Sequence, residues 1–165
     1  GLLMLQLARL SGAALVAVSE PVAAKREEAK RLGADICFDP FAVSEDAFVA
    51  ECEKYNFDCV IECAGNVKTI GQAIRAAGKK ATVMMFGLTK PDDIVSVKPY
   101  DVFSKELTLR SSYINPYTQA RALALIESGR VDVVSMLCPA IPLEKLFEVL
   151  SDEKMRAKGK YVVQL

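Results

Sequence analysis

The sequence contains no histidine. An imidazole general base is therefore excluded, and so is a zinc site with imidazole ligands. Neither sign of charge is in excess, since Lys+Arg and Asp+Glu both number 21. No basic surplus is available to hold nucleic acid or an anionic membrane. No apolar run is long enough to span a bilayer. Residues 2–10 are apolar enough to suggest a signal peptide, but Arg9 interrupts them and no basic segment precedes them. The cysteines are five, Cys37, Cys52, Cys59, Cys63 and Cys138, with no Cys-x-x-Cys pair among them. Cys59 and Cys63 share one apolar run, where extended geometry holds them roughly 13 Å apart. That is too far for a disulfide or a shared metal. Reduced thiols in a cytoplasmic protein are the expectation.

What is present reads as one globular domain over residues 1–165. Hydrophobic residues make up 52% and charged residues 25%. That balance suits a packed core and not a disordered chain. Apolar runs alternate with amphipathic helical patterns. "LLMLQLARLSG" predicts a helix buried on most sides, stopped by Gly12. "ALVAVS" predicts a strand. Residues 21–32 predict a helix with Pro21 in its first turn and Gly33 just beyond its end. "DICFD" is a short strand, and Ser44 caps a helix running to about Tyr55. "FDCVIECAG" is a strand ending in small residues. Asn66 caps the helix "VKTIGQAIRAAG", closed by Gly78. "KATVMMFG", "IVSVKP" and "ELTLRSSYI" are strand-like, with a short helical piece around residues 100–105 between the last two. Asn115 and Pro116 are read as cap and first turn of the helix "YTQARALALIESG", stopped by Gly129. "PLEKLFEVLSD" is a last helix and "GKYVVQL" a closing strand.

Strands that are apolar on both faces belong to a parallel sheet covered on both sides. The order strand, helix, strand, helix then means a doubly wound α/β fold. Ligands of such sheets bind outside the carboxyl ends of the strands. Those ends are residues 19–21, 38–40, 62–66 and 86–89, which hold acids, glycines and small residues. The first of them raises a question. In "VAVSEPVAAKREEAKRLGAD" the strand stops on Glu20. The acid either faces a polyol such as the ribose of a dinucleotide, or is a solvated acid near a helix N-terminus. Glu62 also ends an apolar strand at the crevice, with no partner evident from sequence.

The chain opens on Gly1 and enters a helix at once. A dinucleotide-binding unit is expected to begin with a strand and a Gly-x-Gly-x-x-Gly turn. If Gly1 is the last glycine of that turn, the fold lacks its first strand and most of the glycine-rich turn. That strand is central in the order 3-2-1-4-5-6. Residues 14–18 and 59–63 would then face an empty slot with unpaired backbone groups. The expectation is a piece of a longer polypeptide.

The residues resemble the cofactor-binding half of the medium-chain dehydrogenase/reductase family. The likeness rests on "GLLMLQLARLSGA", "VSEPVAAKREEAKRLGAD", "FDCVIECAG", "MMFGL", "KELTLRSSYINPYTQARALALIESGRVDV" and "IPLEKLFEVL". It is similar to the zinc-dependent alcohol and polyol dehydrogenases of the sorbitol and butanediol type. The resemblance implies a Rossmann fold and a set of cofactor contacts. Gly1 and Leu2 match the end of the pyrophosphate turn. Glu20 matches the acid that accepts hydrogen bonds from the adenosine ribose, and Lys25 a basic residue near it. Cys63, Ala64 and Gly65 match the loop against the adenine and ribose side. Phe86, Gly87 and Leu88 match the loop that meets the nicotinamide. Ser111 and Ser112 match the turn that holds the carboxamide, and Lys160 a basic residue near the pyrophosphate. Ile94 to Val97 matches the segment that pairs across the axis of a homodimer, which in turn can build a tetramer. Glu20 suits a free 2′-hydroxyl and repels a 2′-phosphate, favouring NAD over NADP, with Lys25 and Arg26 close by.

The resemblance further implies a zinc-bound alcohol or polyol as substrate, with hydride passing to the nicotinamide. The zinc ligands lie in a separate catalytic domain of the family, so this chain is expected to hold neither catalytic nor metal-binding residues and to be inactive alone. Other readings stay open at this point. They are a zinc-free quinone or enoyl reductase of the same superfamily, a methyltransferase using S-adenosylmethionine, and a non-catalytic nucleotide-binding or dimerisation module.

Overall fold

The computed structural model describes residues 1–156 and 158–165. The chain divides into two compact units, Gly1–Gln119 and Ala120–Leu165. Among the described residues no helix is long and apolar enough to cross a membrane.

The first unit is α/β throughout. Helix α1 covers Leu2–Leu10, followed by β1 (Ala17–Ser19), α2 (Ala23–Arg31), β2 (Ile36–Phe38), α3 (Glu45–Glu53), β3 (Cys59–Glu62), α4 (Val67–Ala76), β4 (Thr82–Met85), α5 (Pro99–Lys105) and β5 (Thr108–Ser111). All pairings are parallel: β1 with β2 in one sheet, β3 with β4 and β4 with β5 in another. Parallel strands need crossovers, and here the helices supply them. Read together, β2-β1 and β3-β4-β5 give positions 3-2 and 4-5-6 of a doubly wound sheet. β1 and β3 do not pair with each other, so the central position between them carries no strand.

Local chemistry explains the helices. The Ser44 hydroxyl accepts from the Ala47 amide, and the Asn66 side chain accepts from the Thr69 amide, both as expected of N-caps. Helix α2 is charged at six of its nine residues and carries Lys30–Glu27 at 2.9 Å on its exposed face; only Ala29 is buried. Arg9 fastens α1 to the first sheet. Its Nε donates to the Gly33 carbonyl at 2.7 Å and it pairs with Asp35, whose carboxylate also accepts from the Val16 amide at 2.7 Å.

The core centres on β4 and α4. Ile70, Ala73, Ile74, Ala77, Ala81 and Val83 form one buried cluster. Phe48, Val49, Cys52 and Ala76 form a second, joined by Phe38 edge-on to Phe48 at a centroid distance of 5.6 Å.

Several expectations change. Only Leu5 and Gln6 of α1 are buried, so that helix is half-exposed and not covered on most sides. Coverage of the sheet is uneven: Val83 is fully buried, while all four residues of β5 are exposed. Val95 and Val97 pack on the core and Ile94 is exposed, but among the described residues the segment 94–97 pairs with no strand. Gly78 does not close α4 through a left-handed turn. Ala77 leaves the helix in extended geometry, and Gly78 is small because a Cβ there would lie 2.6 Å from the Asn56 backbone.

The second unit holds α6 (Gln119–Glu127), β6 (Ile141–Pro142), α7 (Leu146–Ser151), α8 (Glu153–Lys158) and β7 (Val163–Gln164), with β6 parallel to β7. Helix α6 begins at Gln119, later than the Asn115–Pro116 reading placed it. Tyr117 has φ +59, which breaks the turn, and the Thr118 hydroxyl donates to the Asn115 carbonyl at 2.9 Å instead.

Candidate functional site

The three strands of the second sheet end in one row, with Glu62, Met85 and Ser111 in register. This row sets the carboxyl edge. The loop at residues 63–65 leaves β3 there, the loop at residues 86–88 leaves β4, and Ser112 leaves β5. Parallel register therefore gathers three of the stretches matched from sequence.

The first two loops lie in direct backbone contact. A Cβ on Gly87 would fall 2.2 Å from the Gly65 amide nitrogen, and a Cβ on Gly65 would fall 2.5 Å from the Leu88 carbonyl oxygen. Gly65 also has φ +72. Both positions are thus closed to any larger residue. Glu62 lies beneath them, 5% exposed. Its carboxylate accepts from the Ala64 amide at 2.7 Å, the Gly65 amide at 2.9 Å and the Thr69 hydroxyl at 2.8 Å. Its backbone carbonyl accepts from Phe86 at 3.0 Å and Gly87 at 2.8 Å.

Outside this contact the loops open on an open groove of about 550 Å³ lined by Gly65, Asn66, Lys68, Leu88, Thr89 and Lys90. Leu88 is 92% exposed and Phe86 49% exposed, which leaves an apolar rim. Lys68 and Lys90 were missed by sequence reasoning. Each follows within a few residues of a matched loop, which is the signal that could have found them. Cys63 is half-buried and its thiol faces the Ile61 carbonyl at 3.8 Å.

The first sheet ends on Glu20. Its amide donates to the Phe38 carbonyl at 3.1 Å, which continues the β1–β2 ladder by one residue. Its carboxylate accepts from the Val22 amide at 2.9 Å, at the start of α2. Arg26 donates to the Glu20 and Pro21 carbonyls, each at 2.8 Å, and pairs with Asp39 at 3.0 Å. Lys25 is half-exposed on α2. Gly1 caps α1 without a side chain, its carbonyl accepting from Leu5 at 2.9 Å, and Leu2 is the first helical residue. Ser111 and Ser112 are exposed. Lys160 lies in the second unit, where its backbone bridges to Leu137 and its amide donates to the Met136 carbonyl at 2.9 Å.

Among the described residues no three His, Cys, Asp or Glu side chains gather where one ion could touch them all.

These features define the class: a doubly wound parallel α/β domain with its loops packed at the carboxyl edge. The family model described as zinc-binding dehydrogenase matches residues 1–128, and the chain belongs to that family. Among curated relatives, D-arabinitol dehydrogenase 1 of Uromyces fabae is 25% identical over 99% of this chain and 48% of its own length. Chicken (Gallus gallus) sorbitol dehydrogenase is 27% identical over 96% of this chain and 45% of its own. The chain spans about half the length of the curated relatives it matches. Among solved structures, a protein from Sinorhizobium meliloti 1021 described as a zinc-binding dehydrogenase, crystallised with NADP, superposes with a TM-score of 0.92. It is 32% identical, covering 99% of this chain and 49% of that one. 2R,3R-butanediol dehydrogenase of Bacillus subtilis gives 0.84 at 23% identity, a likeness of fold.

Proposed function

We propose that this chain binds a nicotinamide dinucleotide and serves as the cofactor-holding part of an alcohol or polyol dehydrogenase. The observation that carries the reading is the glycine-to-glycine contact of the two loops at the carboxyl edge, with the Glu20 carboxylate at the end of the neighbouring sheet. In this reading Glu20 accepts from the adenosine ribose with Lys25 near it, and Gly1 and Leu2 meet the pyrophosphate. Residues 63–65 lie against the adenine and ribose side, and residues 86–88 meet the nicotinamide. Ser111 and Ser112 meet the carboxamide.

NAD is preferred to NADP in this proposal. Arg26 is held by Asp39 and by two carbonyls, so it is not free for a 2′-phosphate. A phosphate there would meet the Glu20 carboxylate instead. The relative crystallised with NADP argues the other way by likeness; the Arg26 contacts favour NAD.

Bound nicotinamide supplies hydride acceptance or donation. The chain's own residues bind and orient it, and the substrate alcohol or polyol together with any zinc is held by polypeptide beyond residues 1–165. We propose that this polypeptide also supplies a parallel strand between β1 and β3, whose facing edges are unpaired. We further propose that the assembly is a cytoplasmic homodimer or tetramer joined through residues 94–97, whose outward backbone edge is free of strand pairing.

Fluorescence titration of the chain with NADH and with NADPH tests the reading. A saturable rise with NADH, weaker with NADPH, is expected. Equal binding of both removes the NAD preference, and no rise with either removes the cofactor reading.

A further inference from the structure

Glu62 is the most buried carboxylate at the carboxyl edge, and the cofactor contacts described above do not use it. Its 5% exposure keeps it away from any ligand in the groove. Among the described residues it makes no ion pair. Its charge is met by two backbone amides of the loop after β3 and one hydroxyl from the first turn of α4. Hydrogen bonds to an ionised acceptor are shorter and roughly twice as strong as neutral ones. The same residue's carbonyl takes the two amides that open the neighbouring loop. One residue thus sits at the joint of three segments: the loop after β3, the loop after β4 and the first turns of α4.

We propose that Glu62 is a positioning residue for the cofactor site. It holds residues 63–65 and residues 86–88 in one arrangement, and the dinucleotide meets that arrangement and not Glu62 itself. This rests on the cofactor reading above. The side-chain requirement is narrow. Aspartate is one methylene too short to reach the same donors. Glutamine would turn an N–H₂ toward the Gly65 amide, which now donates to Oε2 at 3.2 Å. A Cβ at position 87 would stand 2.8 Å from that oxygen, so the glycine and the carboxylate fit only together.

Two readouts test the proposal on the full 165-residue chain. The first needs no nucleotide. Amide hydrogen exchange in Glu62→Gln is expected to quicken about tenfold or more at Ala64, Gly65 and Gly87, with the Val83 amide unchanged. The second is NADH titration. Glu62→Gln is expected to raise the dissociation constant about tenfold and Thr69→Val about threefold. Thr69→Ser, which keeps the hydroxyl, is expected to bind as the parent does. If Glu62→Gln does not fold, the Thr69 pair carries the comparison. Unchanged exchange in both loops, or equal affinity of Thr69→Val and Thr69→Ser, overturns the positioning role. Absence of any NADH signal from the parent chain overturns the cofactor reading alone, and the exchange comparison still decides Glu62.

Discussion

Arg26 reaches from α2 to Asp39, just past the end of β2, and closes an ion pair of 3.0 Å while donating to the Glu20 and Pro21 carbonyls. The pair keeps a guanidinium beside the proposed ribose site but turned to other partners. Asp39→Asn removes the charge that holds it. The expected outcome is a rise in NADPH affinity of about threefold to tenfold relative to NADH, read by parallel fluorescence titrations. An unchanged ratio means that Arg26 is held by the carbonyls alone.

Arg9 and Asp35 give a pH prediction. The Val16 amide, first, and the Arg9 guanidinium, second, hold the Asp35 carboxyl below its usual value of 3.8. The folded state therefore binds this proton less readily than the unfolded chain. The stabilisation is fully present above pH 3.8 and is lost as pH falls through the lowered folded value. Asp35→Asn should flatten the melting temperature against pH on the acid side, below about pH 4, leaving the neutral side lower by a constant amount.

Cysteine reactivity follows burial. Cys52 lies in the α3 core, and desolvation pushes its thiol up to about 11. Cys59 is exposed on β3. Iodoacetamide at pH 8 should label Cys59 in the native chain and leave Cys52 unmodified until denaturant is added, as peptide mass spectrometry will show. A strand seated between β1 and β3 is expected to slow the Cys59 reaction.

Lys105 tests the end of α4. Its ammonium donates to the Arg75 carbonyl at 2.8 Å and the Ala77 carbonyl at 3.0 Å, satisfying groups that a helix terminus leaves open. Lys105→Met keeps the stem and removes the donors. A loss of about 1–2 kcal/mol in urea unfolding is expected.

Much of this was legible in the sequence because it is local. Ser44 and Asn66 cap the helices their positions promised, since capping needs only a side chain and an amide two or three residues on. Strands β1 to β4 fall within the apolar runs, because burial in a parallel sheet demands continuous hydrophobic residues; the exposed β5 lies within the strand-like "ELTLRSSYI". The matched loops at 63–65 and 86–88 meet because parallel strands end in register. What stayed hidden depends on distant partners. "IVSVKP" has the alternation of a strand, yet a strand also needs a neighbouring backbone, and residues 94–97 have none. Gly78 looks like a helix stop, but its reason is Asn56, more than twenty residues away. The β6–β7 pair joins residues about twenty apart through two short contacts, below what alternation can reveal. Glu62 shows no partner in the sequence because two of its donors are backbone amides, which every sequence contains, and the third is the Thr69 hydroxyl seven residues on.

The proposed dinucleotide lies along the carboxyl edge of the two sheets. The most direct measurement is an amide map of the ¹⁵N-labelled chain during titration with NADH. The predicted result is a set of saturable shifts gathered at Gly1, Leu2, Glu20, Lys25, residues 63–65, residues 86–88, Ser111 and Ser112. Shifts that never saturate, or that gather away from those residues, would contradict it.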